Sequence, residues 1–287
     1  MLYLVLAASA VGTLSTCAVI LAKCSHSRAI ARSNRLVVEA QQLGGQGRPR
    51  EALQRVRAAI AVAPDNPRAH RELAMHLIAR GWTAEAIREL RTASEAAPQD
   101  AGLSFELSAA LAANGDADGA IRLLRRTAEI HPDNALALTL LADALLREGD
   151  AEEALPVAER AAALAPRLQL AQLNLGLARW RTGDLPGALE ALQQAITLRP
   201  ADASAVMCAT AVLGELNRNQ DALQYAQRAV ELAPDNANAW LVLAGSLRAV
   251  GDSRGAAAAY ARARELNPRV FSSDAPGAQR ERSGPQR

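Results

Sequence analysis

Seven prolines stand 34 residues apart, at Pro64, Pro98, Pro132, Pro166, Pro200, Pro234 and Pro268. A fixed period of this length constrains the fold strongly, because each period is then one supersecondary unit stacked on the next. Two further columns hold the same register. A small residue recurs at Ala40, Ala74, Ser108, Ala142, Gly176, Thr210 and Ala244, and an alanine at Ala52, Ala86, Ala120, Ala154, Ala188, Ala222 and Ala256. Within one period, Trp240-x-x-Leu243-Ala244-x-x-Leu247 precedes Gly251-Asp252, and Ala256-x-x-x-Tyr260-x-x-Ala263 precedes Pro268. Apolar residues three and four apart mark a helix face, not a strand. Gly251 can take the left-handed conformation that ends one helix, and Asp252 can receive the free N–H groups that begin the next. The proline lacks an N–H and clashes with the preceding turn, so it closes the second helix. The pattern predicts pairs of antiparallel helices, brought close by the small columns, with Leu73, Leu107, Leu141 and Leu175 filling the space around them.

Period and columns together resemble the tetratricopeptide repeat family. The resemblance covers residues 33–270, about four-fifths of the chain, as units 33–66, 67–100, 101–134, 135–168, 169–202, 203–236 and 237–270. It implies an all-α, right-handed superhelical solenoid of seven helix-turn-helix repeats. No unit can bury its apolar face alone, so stability accumulates along the stack. The sixth unit departs most: Asn217 replaces the inter-helix glycine and Cys208-Ala209-Thr210 replaces the usual leucine–small pair. Fraying is expected there.

Half the residues are hydrophobic but only 3% are aromatic, so alanine and leucine must build the core. The net charge of +2 comes from interspersed acids and bases and offers no nucleic-acid surface. Cys17, Cys24 and Cys208 form no CxxC pair. His26, His70, His76 and His131 do not fall at zinc-ligand spacing. Gly44-Gly45-Gln46-Gly47 occupies an inter-helix turn with no strand before it, and HExxH, GxSxG and GxxxxGK[ST] motifs are missing. Neither an enzyme nor a bound cofactor or metal is expected.

Residues 2–22 carry no charge and as a helix would span roughly 30 Å, the thickness of a hydrocarbon core. Three readings compete. A cleaved signal would want basic residues before the apolar run, and a lipoprotein signal ending at Cys17 would not continue apolar beyond it. An uncleaved transmembrane anchor over 1–22 fits best. A basic juxtamembrane segment, 23–32, follows. Lys23, Arg28, Arg32 and Arg35 all precede the first acid, Glu39. The positive-inside rule then gives a single-pass protein of the inner (cytoplasmic) membrane, with its repeats in the cytoplasm. The same arginines could equally lie on anionic headgroups or form a solvated helix face. Ala8, Gly12 and Thr16 form a small-xxx-small stripe by which two anchors could pair. No proline or glycine lies between Lys23 and Leu43, so the anchor helix is expected to run unbroken into the first repeat. The tail 271–287, made largely of Ser, Pro, Gly, Gln and Arg, is expected to be disordered. It offers no capping helix, which leaves the last repeat as a second candidate surface for homo-oligomerisation.

The resemblance further implies that first helices line a concave groove. Carried over column by column, the apolar lining is Met75, Ile78, Phe105, Leu136, Leu146, Leu170, Leu173, Leu177 and Trp180. The polar lining includes Arg68, Arg71, Asp143, Arg147, Arg181, Glu215 and Arg248. Leu170, Leu173, Leu177 and Trp180 share a helix face and suit an extended or helical segment of a protein partner; packing against a neighbouring helix is the competing role. Some family members bind chaperone tails through a clamp of lysines and asparagines, but here Glu106, Leu140 and Cys208 occupy the positions around Asn174. The expectation is a membrane-anchored scaffold or adaptor. The alternative is a periplasm-facing assembly factor for an envelope machine such as a pilus, secretion or cytochrome maturation system.

Overall fold

A computed structural model describes residues 2–268, with side chains described from Lys23 onward. These residues form fourteen helices and no strand. They fall into two compact units, Met1–His131 and Pro132–Arg287. The first holds α1 (Leu2–Gly45), α2 (Pro49–Val62), α3 (Pro67–Ile78), α4 (Thr83–Ala96), α5 (Ala101–Ala113) and α6 (Ala117–Ile130). The second holds α7 (Ala135–Glu148), α8 (Ala151–Leu164), α9 (Gln169–Thr182), α10 (Leu185–Leu198), α11 (Ala203–Glu215), α12 (Asn219–Leu232), α13 (Ala237–Ala249) and α14 (Ser253–Leu266). Each unit is a solenoid of helix pairs.

The helix ends follow from the repeated residues. Gly81, Gly115, Gly149, Gly183 and Gly251 sit between paired helices with φ of 77° to 98°, the left-handed region that only glycine enters without strain. In the sixth repeat Asn217 takes that role with φ 58°. α11 and α12 run for 13 and 14 residues, the lengths of their counterparts in the seventh repeat. Asparagine tolerates the left-handed conformation better than other side chains do. Each second helix ends in a non-helical residue before the closing proline, from His131 at φ −123° to Asn267 at φ −146°. Proline sterically excludes the helical conformation from the residue before it. Next in line, Asn66, Asp100, Asn134, Asp202 and Asn236 accept backbone N–H groups at the start of the following first helix.

The small columns lie inside. Ala40, Ala74, Ala142 and Ala244 are fully buried, as are Ala52, Ala86, Ala154 and Ala188. At Gly176 a Cβ would lie 2.6 Å from Leu192 Cγ, so α9 and α10 meet there at backbone distance. Leu90, Leu107 and Leu111 fill the core between α3 and α6; Leu192, Val206, Val212 and Leu213 do so in the second unit.

α1 is one helix from Leu2 to Gly45, crossing the boundaries at residues 22 and 32 without a break. Among the described residues no helix is long and apolar enough to cross a membrane. Residues 2–22, where the span and the Ala8, Gly12, Thr16 stripe are expected, lie outside those whose side chains are described. The tail from residue 269 lies outside the described residues altogether.

Candidate functional site

In the first unit, the facing sides of α1 and α3 enclose a cleft of 370 Å³. Val37, Val38 and Met75 supply its apolar wall, and Asn34, Gln41, Arg68, Arg71 and Glu72 its polar edge. Val38 is 51% and Met75 49% exposed, a high fraction for large apolar side chains. Ile78, one turn along from Met75, is 43% exposed. Packing leaves these three to solvent, because the inward face of α3 is already filled by Ala69, Ala74 and Leu77.

The charges around the cleft are largely preset. Arg71 forks onto Glu106 of α5, with Nε 2.9 Å from both carboxylate oxygens and Nη2 on Oε1. That carboxylate holds the guanidinium above its usual proton affinity, against a smaller opposing effect of burial. Gln41 donates to Glu72 at 2.8 Å. Arg68 is exposed and carries no ion pair among the described residues. Phe105 is half-buried, and its carbonyl accepts from Ser108.

The expected lining of the second unit divides in two. Leu170 and Leu177 are partly exposed. Leu173 and Trp180 pack against the buried core of that unit, and the Trp180 indole donates to Glu215 of α11 at 2.9 Å. Trp180 thus ties two successive first helices together. Leu146, expected in the lining, is only 3% exposed and belongs to the interior. Asp143 and Arg147 pair one turn apart at 2.8 Å, and Arg181 caps the Leu146 carbonyl at the end of α7. Cys208 lies nearby in α11; burial above all, and then the Asp202 carboxylate, push its thiol up to about 11, with Arg181 pulling the other way.

Some contacts are not marked by the repeat columns. Val38, Asn34 and Gln41 stand one period before Glu72, Arg68 and Met75, so the register that gave Met75 would have given them. A second set occupies the sixth position after a closing proline: His70, Gln172 and Trp240 reach the carbonyls of Pro64, Pro166 and Pro234 at 2.7, 3.2 and 2.7 Å. They satisfy acceptors freed at the end of a second helix. Among the described residues no three His, Cys, Asp or Glu side chains converge on a metal-sized site.

Stacked helix hairpins with solvent-facing first-helix side chains define an α-helical repeat protein. Family models described as "Tetratricopeptide repeat" match residues 1–167 with one profile, and residues 139–203 and 212–271 with another. The chain belongs to the tetratricopeptide repeat (TPR) family. Among solved structures it is similar to a TPR protein from Parabacteroides merdae, with 13% identity, a TM-score of 0.64, and 82% of this chain covering 93% of that one. It is also similar to pilF of Pseudomonas aeruginosa, with 22% identity, a TM-score of 0.60, and coverage of 75% and 96%. A third is YrrB, described as a TPR protein with an unusual peptide-binding site, at 18% identity, a TM-score of 0.53, and coverage of 64% and 95%. At these identities the likeness is one of fold. No curated protein matches the chain.

Proposed function

We propose that this protein is a membrane-anchored adaptor that holds a partner protein by an extended or helical segment in the groove of its TPR array. The observation that carries the reading is the exposure of Val38, Met75 and Ile78 beside the unpaired Arg68. Large apolar side chains grouped beside a free cation suit a segment with an apolar anchor residue and an acidic neighbour. TPR proteins generally mediate protein–protein contacts, and YrrB, of the same fold, has a peptide-binding site. In this reading Arg71 and Phe105 extend the contact surface of the first unit, while Asp143, Arg147, Leu170, Leu177 and Arg181 offer a separate surface on the second, which Leu173 and Trp180 stiffen.

The anchor is residues 2–22, whose uncharged run and basic flank at Lys23 and Arg28 support insertion with the array on the cytoplasmic side. The groove is tested with the double variant V38E/M75E, whose side chains are exposed and whose helicity should be unchanged by circular dichroism. A partner retrieved by the wild-type chain should be lost, with affinity reduced at least about tenfold. Equal retrieval by wild type and V38E/M75E would remove the cleft from the account.

A further inference from the structure

The flank of α1 that carries Arg28, Arg32 and Arg35 has no role in the groove. Spaced four and three apart, the three fall within an arc of about 60°. All three are exposed, and none makes an ion pair or hydrogen bond among the described residues. The nearest acid along that flank, Glu39, is engaged by Arg55 of α2 at 3.5 Å. The register gives this flank its meaning. One period on from Arg32 and Arg35 stand Asn66 and Ala69, which are 1% and 0% exposed. By those two positions α3 stacks on the preceding helix pair: Asn66 donates to Ser33 and Asn34, and Ala69 packs against Val37 and Ala59. The side of a first helix that elsewhere receives a neighbouring helix here carries unpaired cations.

We propose that this flank of α1 is a lateral docking face for an acidic helix of a different protein. A second copy does not fit: its corresponding flank is also basic, and α14 at the other end of the array offers Arg254, Arg262 and Arg264 against the single acid Glu265. An anionic lipid surface fits less well than a protein. Where the anchor reading above holds, α1 leaves the membrane as a continuous helix near Lys23. Arg32 and Arg35 then lie about 14 and 18 Å further along its axis at 1.5 Å per residue. Both lie beyond the roughly 8 Å over which headgroup charge acts at physiological salt, whereas Arg28, about 8 Å along, stays within reach of headgroups and leaves Arg32 and Arg35 as the docking pair. The exclusion of lipid rests on that reading; the docking face rests on the register.

The probe is a fluorescent, alanine-rich helical peptide with glutamates spaced four and three apart, alongside a glutamine counterpart. It is titrated onto the full chain in phosphatidylcholine nanodiscs and followed by anisotropy. The glutamate peptide should bind at least about tenfold more tightly than the glutamine one. Binding should weaken as salt rises from about 50 to about 200 mM. R32E/R35E should abolish it, and a lysine-bearing peptide should restore binding to that variant. Equal binding of the two peptides, or an unchanged affinity in R32E/R35E, overturns the proposal. So does loss of binding in discs containing phosphatidylglycerol, which would assign the arginines to headgroups. V38E/M75E should bind the peptide normally, so failure of the groove reading is read separately. Failure of the anchor reading shows as a chain that the discs do not retain.

Discussion

Gly176 sits where α9 packs directly on α10, and its energetics are set by one missing carbon. A Cβ there would stand 2.6 Å from Leu192 Cγ and 3.2 Å from the Ala188 carbonyl, neither able to retreat from a filled core. Gly176→Ala should therefore destabilise the fold by about 1–3 kcal/mol. Gly245, inside α13, has nothing within 4 Å of its would-be Cβ. Gly245→Ala should stabilise by about 0.5–1 kcal/mol, since only the conformational cost of glycine changes. Urea midpoints of the two variants should move in opposite directions, and a common direction would contradict the packing described. Cys208 is the second residue with a defined signature. Its thiol, pushed up to about 11 from an ordinary 9.0, stays protonated at neutral pH, whereas Cys24 is exposed. Maleimide should label Cys24 first, and labelling of Cys208 should rise about tenfold per pH unit toward 11. The sign of the linkage is that of an acid kept neutral by folding. The stability it contributes is complete below about pH 9 and is lost as pH rises through about 11. Labelling of Cys208 at the Cys24 rate at pH 7 would contradict its burial.

At the scale of elements, the stack is joined by side chains that reach from one first helix to the next. Arg71 to Glu106, Trp180 to Glu215, Arg181 to the Leu146 carbonyl and Asn174 to the Thr139 carbonyl each span 35 residues. Asn66 is the clearest case in the first unit. It caps α3 through Arg68 N–H and donates to both Ser33 and Asn34 while almost wholly buried. Asn66→Ala should cost about 1–3 kcal/mol, because the cap is lost and buried partners are left unpaired. Amide exchange should rise first at the start of α3. These links mark what was legible and what was not. Prolines, alanines and turn glycines repeat at one spacing, so the helix pairs and their small inward columns could be read directly from the sequence. Trp180 and Leu146 could not be placed by column alone. A column fixes which side of its own helix a residue occupies, but not how far the next helix covers that side. Complementary pairs at a spacing of 35, such as Arg71 with Glu106, were available as a signal. Trp180 with Glu215 would have shown that the indole is tethered.

For the whole molecule, the decisive feature is that α1 joins the apolar N-terminal run to the first repeat as a single helix. With residues 2–22 in a membrane as proposed, this continuity keeps the cleft between α1 and α3 close to the membrane surface. A partner held there would be kept within a few helix turns of the bilayer. Orientation then decides which partners can reach it. The measurement that tests this most directly fuses a cytoplasm-active fluorescent protein and a periplasm-active phosphatase, separately, after Arg287. Fluorescence without phosphatase activity, from a membrane-bound product, is the expected result. Phosphatase activity would contradict it and turn the array toward envelope assembly machines.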